Sequence, residues 1–436
     1  MTLRYALMGL ALLAAPAGAQ TYGTYASQAD LGGAEPDCIV TDVTGEFVIY
    51  FDQATASIQA YAPGDGVIVG ADNAALNAAT GLTIDRCRDG AFSENTFDAY
   101  FILADSDNTD IVVKLDADAN LTALTNPADA TDPAQGSIGL AVSNDNQALY
   151  ISRSEFNGAP EDGVYSVNTT DASQTPAVVL QNADLDLNGI AVDAAGDLYA
   201  ASSEFGGGDF VNVVVKITDP DGSPALSTIA SPCADGLFVN CTDGGIEELV
   251  IATNLADGSQ RMFVANNSFG GPDGEVVAAF DLDGSDGEIV FTQAAAVAAL
   301  GIAGITTAGN NGYLAFGGET LLVASRADFG GTTGIFSVTV PFPVAAEGAP
   351  TSAFALAVAP NPSAGAARVA VTAEASGALT VDVLDLLGRR VTTLFEGSAA
   401  AGQTVTATAS GLAPGVYVVR AQSAAGVATQ RLTVVR

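Results

Sequence analysis

A repeat of about 50 residues runs through most of this chain and limits its fold to architectures built from one recurring unit. Six short, largely apolar segments mark the repeat, and their first residues lie 54, 48, 49, 64 and 59 positions apart. The two longest intervals contain insertions, one around Cys233 and Cys241 and one in the Ala-rich piece 293–304, and without these the period approaches 50. The segments begin at Phe47, Phe101, Leu149, Leu198, Met262 and Leu321.

Each unit contains several predicted strands. In four copies a cluster containing Phe and Gly follows the apolar segment, and a second β-rich run follows the cluster, at 164–167, 213–216, 276–279 and 335–338. Glycine clusters between β-branched runs favour hairpins, because glycine adopts positive φ without a Cβ clash. A further strand precedes the hairpin, best seen at 188–192, and another follows it, at 178–180 and 289–291.

Four strands per unit, repeated six times, predict an all-β fold with a six-bladed β-propeller over residues 20–340. Residues 188–199 resemble an NHL repeat, and residues 138–143 resemble it more weakly. A β-solenoid would need a shorter period, and a parallel α/β fold would need amphipathic helices. We expect residues 20–27 to complete the last blade as its outer strand, which removes a free sheet edge.

The N-terminus has the pattern of a secretory signal peptide. Arg4 precedes an apolar run over 6–15, and Ala17-Gly18-Ala19 forms a small-x-small cleavage site. We therefore predict a signal peptide over residues 1–19 and a mature chain that starts at Gln20. No later segment holds the roughly 18 apolar residues of a membrane-spanning helix, so no transmembrane segment is expected.

Four cysteines in an exported chain predict disulfides, since paired thiols persist in oxidising compartments. Cys233 and Cys241 lie eight residues apart, which suits a locally pinned loop, and Cys38 would then pair with Cys87. Three connectivities are formally possible, and unpaired buried thiols are an open alternative. A metal site at these cysteines is disfavoured, because the chain has neither a CxxC motif nor a histidine.

Charge divides the chain in two. The whole sequence has 50 acidic and 14 basic residues, a net charge of −36, whereas the part after Ser352 has six arginines and four acids. A strongly acidic surface repels nucleic acid and anionic lipid, so we expect no nucleic-acid partner. It either favours cationic partners and divalent ions or is simply a solvated coat.

The C-terminal part has its own strand pattern. A proline-containing linker over 341–351 cannot extend a strand ladder, and seven short strands with turn residues between them follow it. This pattern predicts a small antiparallel Ig-like β-sandwich over residues 352–436.

Ordered motifs in this part resemble the type A C-terminal sorting domain of cargo proteins of the type IX (Por) secretion system of Bacteroidota-like bacteria. The resemblance implies Sec export, interaction with the type IX machinery, passage to the outer-membrane surface or the extracellular space, and often removal of the domain by a sortase-like enzyme with attachment to surface lipopolysaccharide. A fibronectin-like accessory module is the alternative. The residues that carry the resemblance are Pro360, Asn361, Pro362, Asp385, Gly388, Arg389, Gly415, Tyr417 and Arg436.

Acidic side chains recur before the Phe-Gly clusters. Glu155, Glu204 and Asp328 occupy equivalent places on three units, and if they face the propeller axis they form a ring that could hold Ca²⁺. Such a ring would resemble the site of lactonase and gluconolactonase propellers, which hold a metal on this axis. The ligand set of those propellers does not align with this chain. Solvent-facing loops are the alternative placement for these acids.

A second calcium candidate is the stretch that contains Asp184, Asp186 and Asn188. Its alternating oxygens and a glycine at the sixth place match the opening half of a calcium loop, but the twelfth place is Ala195 instead of glutamate. The same Asn-Gly pair also suits a turn into an inner strand.

Three possible functions follow from the sequence. The absence of histidine excludes Ser-His-Asp and Cys-His nucleophiles and His-ligated zinc. A secreted or cell-surface propeller that binds a ligand or partner through loops on one face is favoured. The alternatives are a calcium-dependent, lactonase-like hydrolase and a structural or adhesion protein. The sequence identifies no catalytic residue.

Overall fold

The computed structural model describes residues 20–435 with internal gaps. The gaps are 127–135, 155–161, 172–175, 183–185, 207–208, 239–243, 255–257, 269–275, 306–312, 327–330, 341–353, 362, 364, 374, 385–389, 414 and 424–425.

The described residues upstream of position 341, here called the ring, form six four-stranded antiparallel sheets. The second to fifth strands of the chain form sheet 1, and each following group of four consecutive strands forms the next sheet, up to sheet 5. Sheet 6 combines the last three strands of the ring with the first strand of the chain. In chain order the strands are β1 (Thr21–Ser27), β2 (Pro36–Thr41), β3 (Val48–Asp52), β4 (Ser57–Ala62), β5 (Gly66–Ala71), β6 (Ile84–Phe92), β7 (Ala99–Asp105), β8 (Asp110–Leu115), β9 (Leu121–Ala123), β10 (Ser137–Val142), β11 (Ala148–Arg153), β12 (Gly163–Asn168), β13 (Ala177–Gln181), β14 (Leu187–Val192), β15 (Leu198–Gly206), β16 (Asp209–Thr218), β17 (Ala225–Ala230), β18 (Gly244–Thr253), β19 (Gln260–Ser268), β20 (Val276–Asp281), β21 (Glu288–Thr292), β22 (Leu314–Gly317), β23 (Thr320–Ser325) and β24 (Gly334–Thr339).

The first strands of the six sheets contact one another in cyclic order. β2 contacts β6, and the contacts continue through β10, β14, β18 and β22, which in turn touches β2. The N-terminal strand β1 pairs antiparallel with β24, and this pairing confirms the predicted closing strand. Each sheet therefore packs between two neighbours, as in a propeller.

The six apolar segments of the repeat all lie in the second strands of the sheets: β3, β7, β11, β15, β19 and β23. Residues such as Ile102, Leu149 and Phe263 are fully buried there. A second strand is covered on both faces by neighbouring sheets, so consecutive residues are apolar instead of alternating with polar ones. This double burial explains why the segments stand out in the sequence.

The two lysines of the chain occupy equivalent positions in sheets 2 and 4. Lys114 pairs with Tyr100 across β7 and β8, and Lys216 pairs with Tyr199 across β15 and β16. The Lys216 ammonium lies 2.9 Å from a carboxylate oxygen of Asp197 and 4.9 Å from the centre of the Tyr199 ring. Burial acts to lower the pKa of Lys216, but Tyr199 and Asp197 together raise it above its usual value. Both lysines thus belong to the repeat and are not scattered surface charges.

A disulfide joins the first strands of sheets 1 and 2. Cys38 in β2 and Cys87 in β6 are bonded, with their Cα atoms 6.1 Å apart. This bond confirms the predicted Cys38–Cys87 pair. Cys233 is also disulfide-bonded, whereas Cys241 lies outside the described residues.

Two short helices connect sheets. α1 (Asn73–Thr80) follows sheet 1, and α2 (Gln293–Leu300) occupies the Ala-rich insertion. The side chains of Asp72 and Thr292 accept hydrogen bonds from backbone N–H groups of the first turns, and left-handed glycines end both helices. The Ala-rich piece was predicted only as an insertion in the repeat. The caps of α2 at Thr292 and Gly301 explain why this piece is helical.

The remaining seven strands, here called the C-terminal module, form two sheets around a separate apolar core. Seven is also the number of strands predicted from the sequence for this part. One sheet has the order β25-β26-β29, and the other has the order β28-β27-β30-β31. The strands are β25 (Phe354–Ala359), β26 (Ala366–Ala373), β27 (Gly377–Leu384), β28 (Arg390–Ala399), β29 (Thr404–Ser410), β30 (Gly415–Ser423) and β31 (Gly426–Val434).

Candidate functional site: the axial cavity

A cavity of about 380 Å³ lies at the centre of the ring. The first strands of all six sheets contribute to its wall, and each contributes successive residues, for example 39–41, 140–142 and 249–252. Side chains of a strand alternate between its two faces. A run of successive residues along one wall therefore means that the strand presents its backbone edge to the cavity.

The backbone edges make the cavity wall polar. Each first strand is the edge of its sheet and has a pairing partner on one side only. Its other side carries N–H and C=O groups that need partners when they are out of bulk water. The cavity can therefore hold water or a small ligand with several hydrogen-bonding groups.

The turns between first and second strands form the rim of this cavity, which we define as residues 43, 94, 95, 144, 193, 194 and 260. Hydrogen bonds cross from sheet to sheet along it. Glu94 accepts from the Val43 N–H at 2.5 Å, Asn95 donates to the Asn144 carbonyl, and Asn144 donates to the Asp193 carbonyl at 2.9 Å.

Two further contacts extend this chain of bonds. The Ala194 N–H donates to Gln260 Oε1 at 2.8 Å, which joins sheets 4 and 5, and the Gly318 N–H donates to the Val43 carbonyl at 2.7 Å, which joins sheets 6 and 1. The rim thus ties neighbouring sheets together through side chains and backbone groups. Its shape depends on each of these bonds.

Two acids of sheet 2, Glu94 and Asp89, lie against the cavity, and burial raises the pKa of both. Burial raises the pKa of Glu94 well above its usual range, and the negative charge of Asp42 raises it further. The hydrogen bond that Glu94 accepts from the Val43 N–H acts in the opposite direction. Burial likewise raises the pKa of Asp89 to about 8, although its oxygens accept 2.7 Å bonds from the N–H groups of Gly90 and Leu140. Burial therefore reduces the negative charge at this wall.

The predicted metal ligands are placed only in part. Glu155, Asp328 and Asp184 lie outside the described residues, and Glu204 lies near the tip of the β15–β16 hairpin, opposite Val211. Within the described ranges, no group of three Asp, Glu or Cys residues is arranged to hold a metal ion. The acidic ring stays a prediction.

Asn188 has a clear structural role. Its Nδ2 donates to the Ile246 carbonyl of sheet 5 at 2.9 Å, and its own carbonyl accepts from Ser152 of sheet 3. A Cβ added at Gly189 would lie 2.5 Å from the Leu249 nitrogen, so the glycine permits close packing of two first strands. The Asn-Gly pair therefore joins three sheets. Asp186, the other described member of this candidate, accepts a hydrogen bond from the Ser203 N–H through its backbone carbonyl at 3.0 Å.

The motif residues of the C-terminal module are partly described. Asn361 behaves like a strand residue: its Nδ2 donates to the Arg431 carbonyl at 2.6 Å, and its Oδ1 accepts from the Thr433 N–H at 2.8 Å. Tyr417, near the start of β30, donates to the Ala413 carbonyl at 2.9 Å, as in the tyrosine corner of sandwich domains. Pro360 and Gly415 flank these contacts. Outside the described residues lie Pro362, Asp385, Gly388, Arg389 and Arg436.

No pattern in the sequence predicted the cavity or its rim. A signal for the rim does exist, because Asn95, Asn144 and Asp193 follow one another at intervals of 49 residues. This interval matches the repeat, so the three residues occupy equivalent turns. Asn and Asp are common in all turns, and the interval is the part of the pattern that points to the rim.

Comparison with known families identifies the C-terminal module. Residues 357–435 match the family model described as "Secretion system C-terminal sorting domain". The chain therefore carries a sorting tail that supports its secretion by the type IX system, to the cell surface or the extracellular space, and interaction with that secretion machinery. In the part of the chain that the structure describes, no helix is both long and apolar enough to span a bilayer.

Solved structures resemble the chain at low identity. A structural genomics protein of unknown function from Bacteroides thetaiotaomicron VPI-5482 is 13% identical, with a TM-score of 0.46, and the match covers 74% of this chain and 76% of that one. Regucalcin from Agrobacterium tumefaciens str. C58, described as a calcium-binding protein, is 13% identical with a TM-score of 0.41, over 70% of this chain and 89% of that one. No curated protein sequence matches the chain. At these scores the likenesses carry no argument about what the ring binds.

Proposed function

We propose that the chain is a cargo protein of the type IX secretion system with four parts. Residues 1–19 are a signal peptide, 20–340 a six-bladed NHL-like β-propeller, 341–351 a linker, and 352–436 an Ig-like sorting domain. Six sheets in cyclic contact and the strand order of the two terminal sheets support this division.

Export delivers the propeller to the outer face of the cell. The signal peptide directs the chain to the periplasm, and the C-terminal module carries it across the outer membrane. A sortase-like enzyme then removes the module and attaches the propeller to surface lipopolysaccharide.

Outside the cell the propeller acts as a binding module. The observation that carries this proposal is the axial cavity of about 380 Å³, whose size lies within the usual range of roughly 300–1,000 Å³ for small-molecule sites. The alternative, a calcium-dependent, lactonase-like hydrolase, would need at least three convergent oxygen ligands around the metal.

The wall of the axial cavity and the net charge of the chain together indicate the class of ligand. Backbone edges offer many donors and acceptors, whereas the surrounding chain has a net charge of −36. An anion would be repelled by this net negative charge. We infer that the cavity takes a small, neutral ligand rich in hydroxyl groups, such as a sugar or another polyol.

A variant at the rim tests this proposal. Ala194 is exposed at the rim and contributes only its N–H to the bond with Gln260, so Ala194→Tyr adds bulk at the opening without removing that bond. Isothermal titration with paired probes, glucose with gluconate and galactose with galactonate, should detect binding of a neutral sugar and no binding of either carboxylate. We expect Ala194→Tyr to weaken that binding by roughly tenfold or more.

Ala195→Tyr is the matched control. Ala195 is exposed in the same turn but does not line the cavity, so this variant should bind like the parent protein. Binding of carboxylates alone, failure of all four probes, or equal loss in both variants would count against a polyol site on the axis.

A further inference from the structure

The C-terminal module rests against the ring through one face of its four-stranded sheet. Asp382 faces Arg420 across β27 and β30, and Leu384 faces Val418. These four residues lie on the side of the sheet opposite Val383 and Val419, which belong to the core of the module. We call the set 382, 384, 418 and 420 the docking face.

Burial shows that the ring covers the docking face. Val383 and Leu384 are adjacent in β27, point to opposite sides, and are both 0% exposed. Leu384 and Val418 belong to the same apolar cluster as Phe97 and other buried residues of sheets 1 and 2. The module therefore packs its own core on one side and the ring on the other.

Arg420 makes the polar contacts of the docking face. Its guanidinium donates to the Asn95 carbonyl at 3.1 Å and to Asp382 Oδ2 at 3.2 Å, and it lies 5.0 Å from the centre of the Phe97 ring. The two contacts with the ring are a hydrogen bond and a cation–π interaction.

Charge also favours this contact. Arg431 on β31 is paired with Val418 of the docking face. Burial raises the pKa of Glu46 on the ring, and the positive charge of Arg431 opposes that shift. The basic module thus presents positive charge to an acidic ring, which adds electrostatic complementarity to the apolar contact.

The docking face meets the ring at the rim. Asn95 accepts from Arg420 through its backbone, donates from its side chain to the Asn144 carbonyl of sheet 3, and follows Glu94, which accepts from Val43 of sheet 1. Holding residues 94 and 95 in place therefore holds rim bonds on both sides of sheet 2.

We propose that the attached C-terminal module locks the rim of the axial cavity through Arg420 and Asn95, and that release of the module frees the rim for ligand entry. The secreted protein would then take up its ligand faster once its sorting tail is removed. This inference rests on the proposed function in two respects: it takes the axial cavity to be the binding site, and it takes the C-terminal module to be removed.

The test uses the full chain and a single fluorescent reporter. The protein has no tryptophan, so Phe97→Trp supplies a unique emission signal beneath the docking face and keeps an aromatic ring for Arg420. In this background, Asp382→Asn with Arg420→Gln replaces the ion pair with two amides that can bond to each other. We expect a red-shifted emission and roughly tenfold faster hydrogen–deuterium exchange over residues 93–98 and 143–147.

Arg368→Gln is the matched control. Arg368 is exposed on β26 and contacts Thr406 within the module, so its loss removes one positive charge away from the ring. This variant should match the reporter protein in emission and exchange. Circular dichroism and the melting of each variant show that both parts remain folded.

Two results would overturn the proposal. Unchanged emission in the double variant would mean that Arg420 does not hold the module on the ring. A red shift with unchanged exchange over 143–147 would mean that the module docks but does not lock the rim. Neither measurement uses a sugar, so either failure is distinct from failure of the proposed polyol site.

Discussion

Deletion of residues 352–436 is expected to leave the protein in the periplasm of a bacterium that has a type IX system. The signal peptide still directs export across the inner membrane, but the truncated chain lacks the region that matches a sorting domain. Cell fractionation and protease treatment of intact cells should show the parent protein on the outside. At least a roughly tenfold drop in the protease-accessible fraction is expected for the truncated protein.

A gain-of-function control separates sorting from folding, because the deletion also uncovers Phe97 and its apolar neighbours on the ring. Residues 341–436 fused to an unrelated periplasmic reporter should carry that reporter to the cell surface. The assignment would be refuted if the truncated protein reached the surface normally and the fusion stayed in the periplasm.

Loss of the Cys38–Cys87 disulfide is expected to lower the stability of the ring strongly. The bond closes a loop with a sequence separation of 49 residues. In the chain-entropy model, a loop of this length restricts the unfolded state enough to stabilise the fold by about 4 kcal/mol. Urea unfolding of Cys38→Ala/Cys87→Ala should show a decrease in the free energy of unfolding of that order.

Reductant provides the control for this measurement. Cys233 is also disulfide-bonded, so reduction of the double variant measures the contribution of that second bond alone. Subtracting it from the effect of reduction on the parent protein isolates the Cys38–Cys87 bond without creating a cavity. A difference below about 1 kcal/mol would show that sheets 1 and 2 are held together by packing instead of by the cross-link.

The sequence predicted the strands well because burial left a clear pattern. Second strands such as β7 and β11 are covered on both faces and appear as uninterrupted apolar runs. In the C-terminal module, turn residues between short alternating segments located all seven strands. The closing role of β1 was also predictable, since the last unit lacked a fourth strand of its own.

The cavity was not predictable, because its wall is made of backbone edges. A backbone edge has no residue type that a sequence pattern can reveal, and the side chains of the same strands face neighbouring sheets. Glu204, one of the acids singled out in the sequence, lies near the tip of the β15–β16 hairpin, whereas Asp89 and Glu94 line the cavity from positions that no motif marked.

The docking face was hidden for a different reason. Arg420 and Asp382 look like ordinary surface residues of alternating strands, but Arg420 contacts Asn95, which lies 325 positions away in the chain. Contacts of such long sequence separation leave no local pattern. Only the charge difference between the two parts of the chain pointed toward their attraction.

The most direct test of the central claim, export of the ring by a removable C-terminal module, is mass spectrometry of the protein recovered from outside the cell. We predict a chain that starts at Gln20 and ends before β25, without the signal peptide and without the module. A chain found only inside the cell with residues 1–19 intact, or an external chain that retains residues 352–436, would contradict the claim.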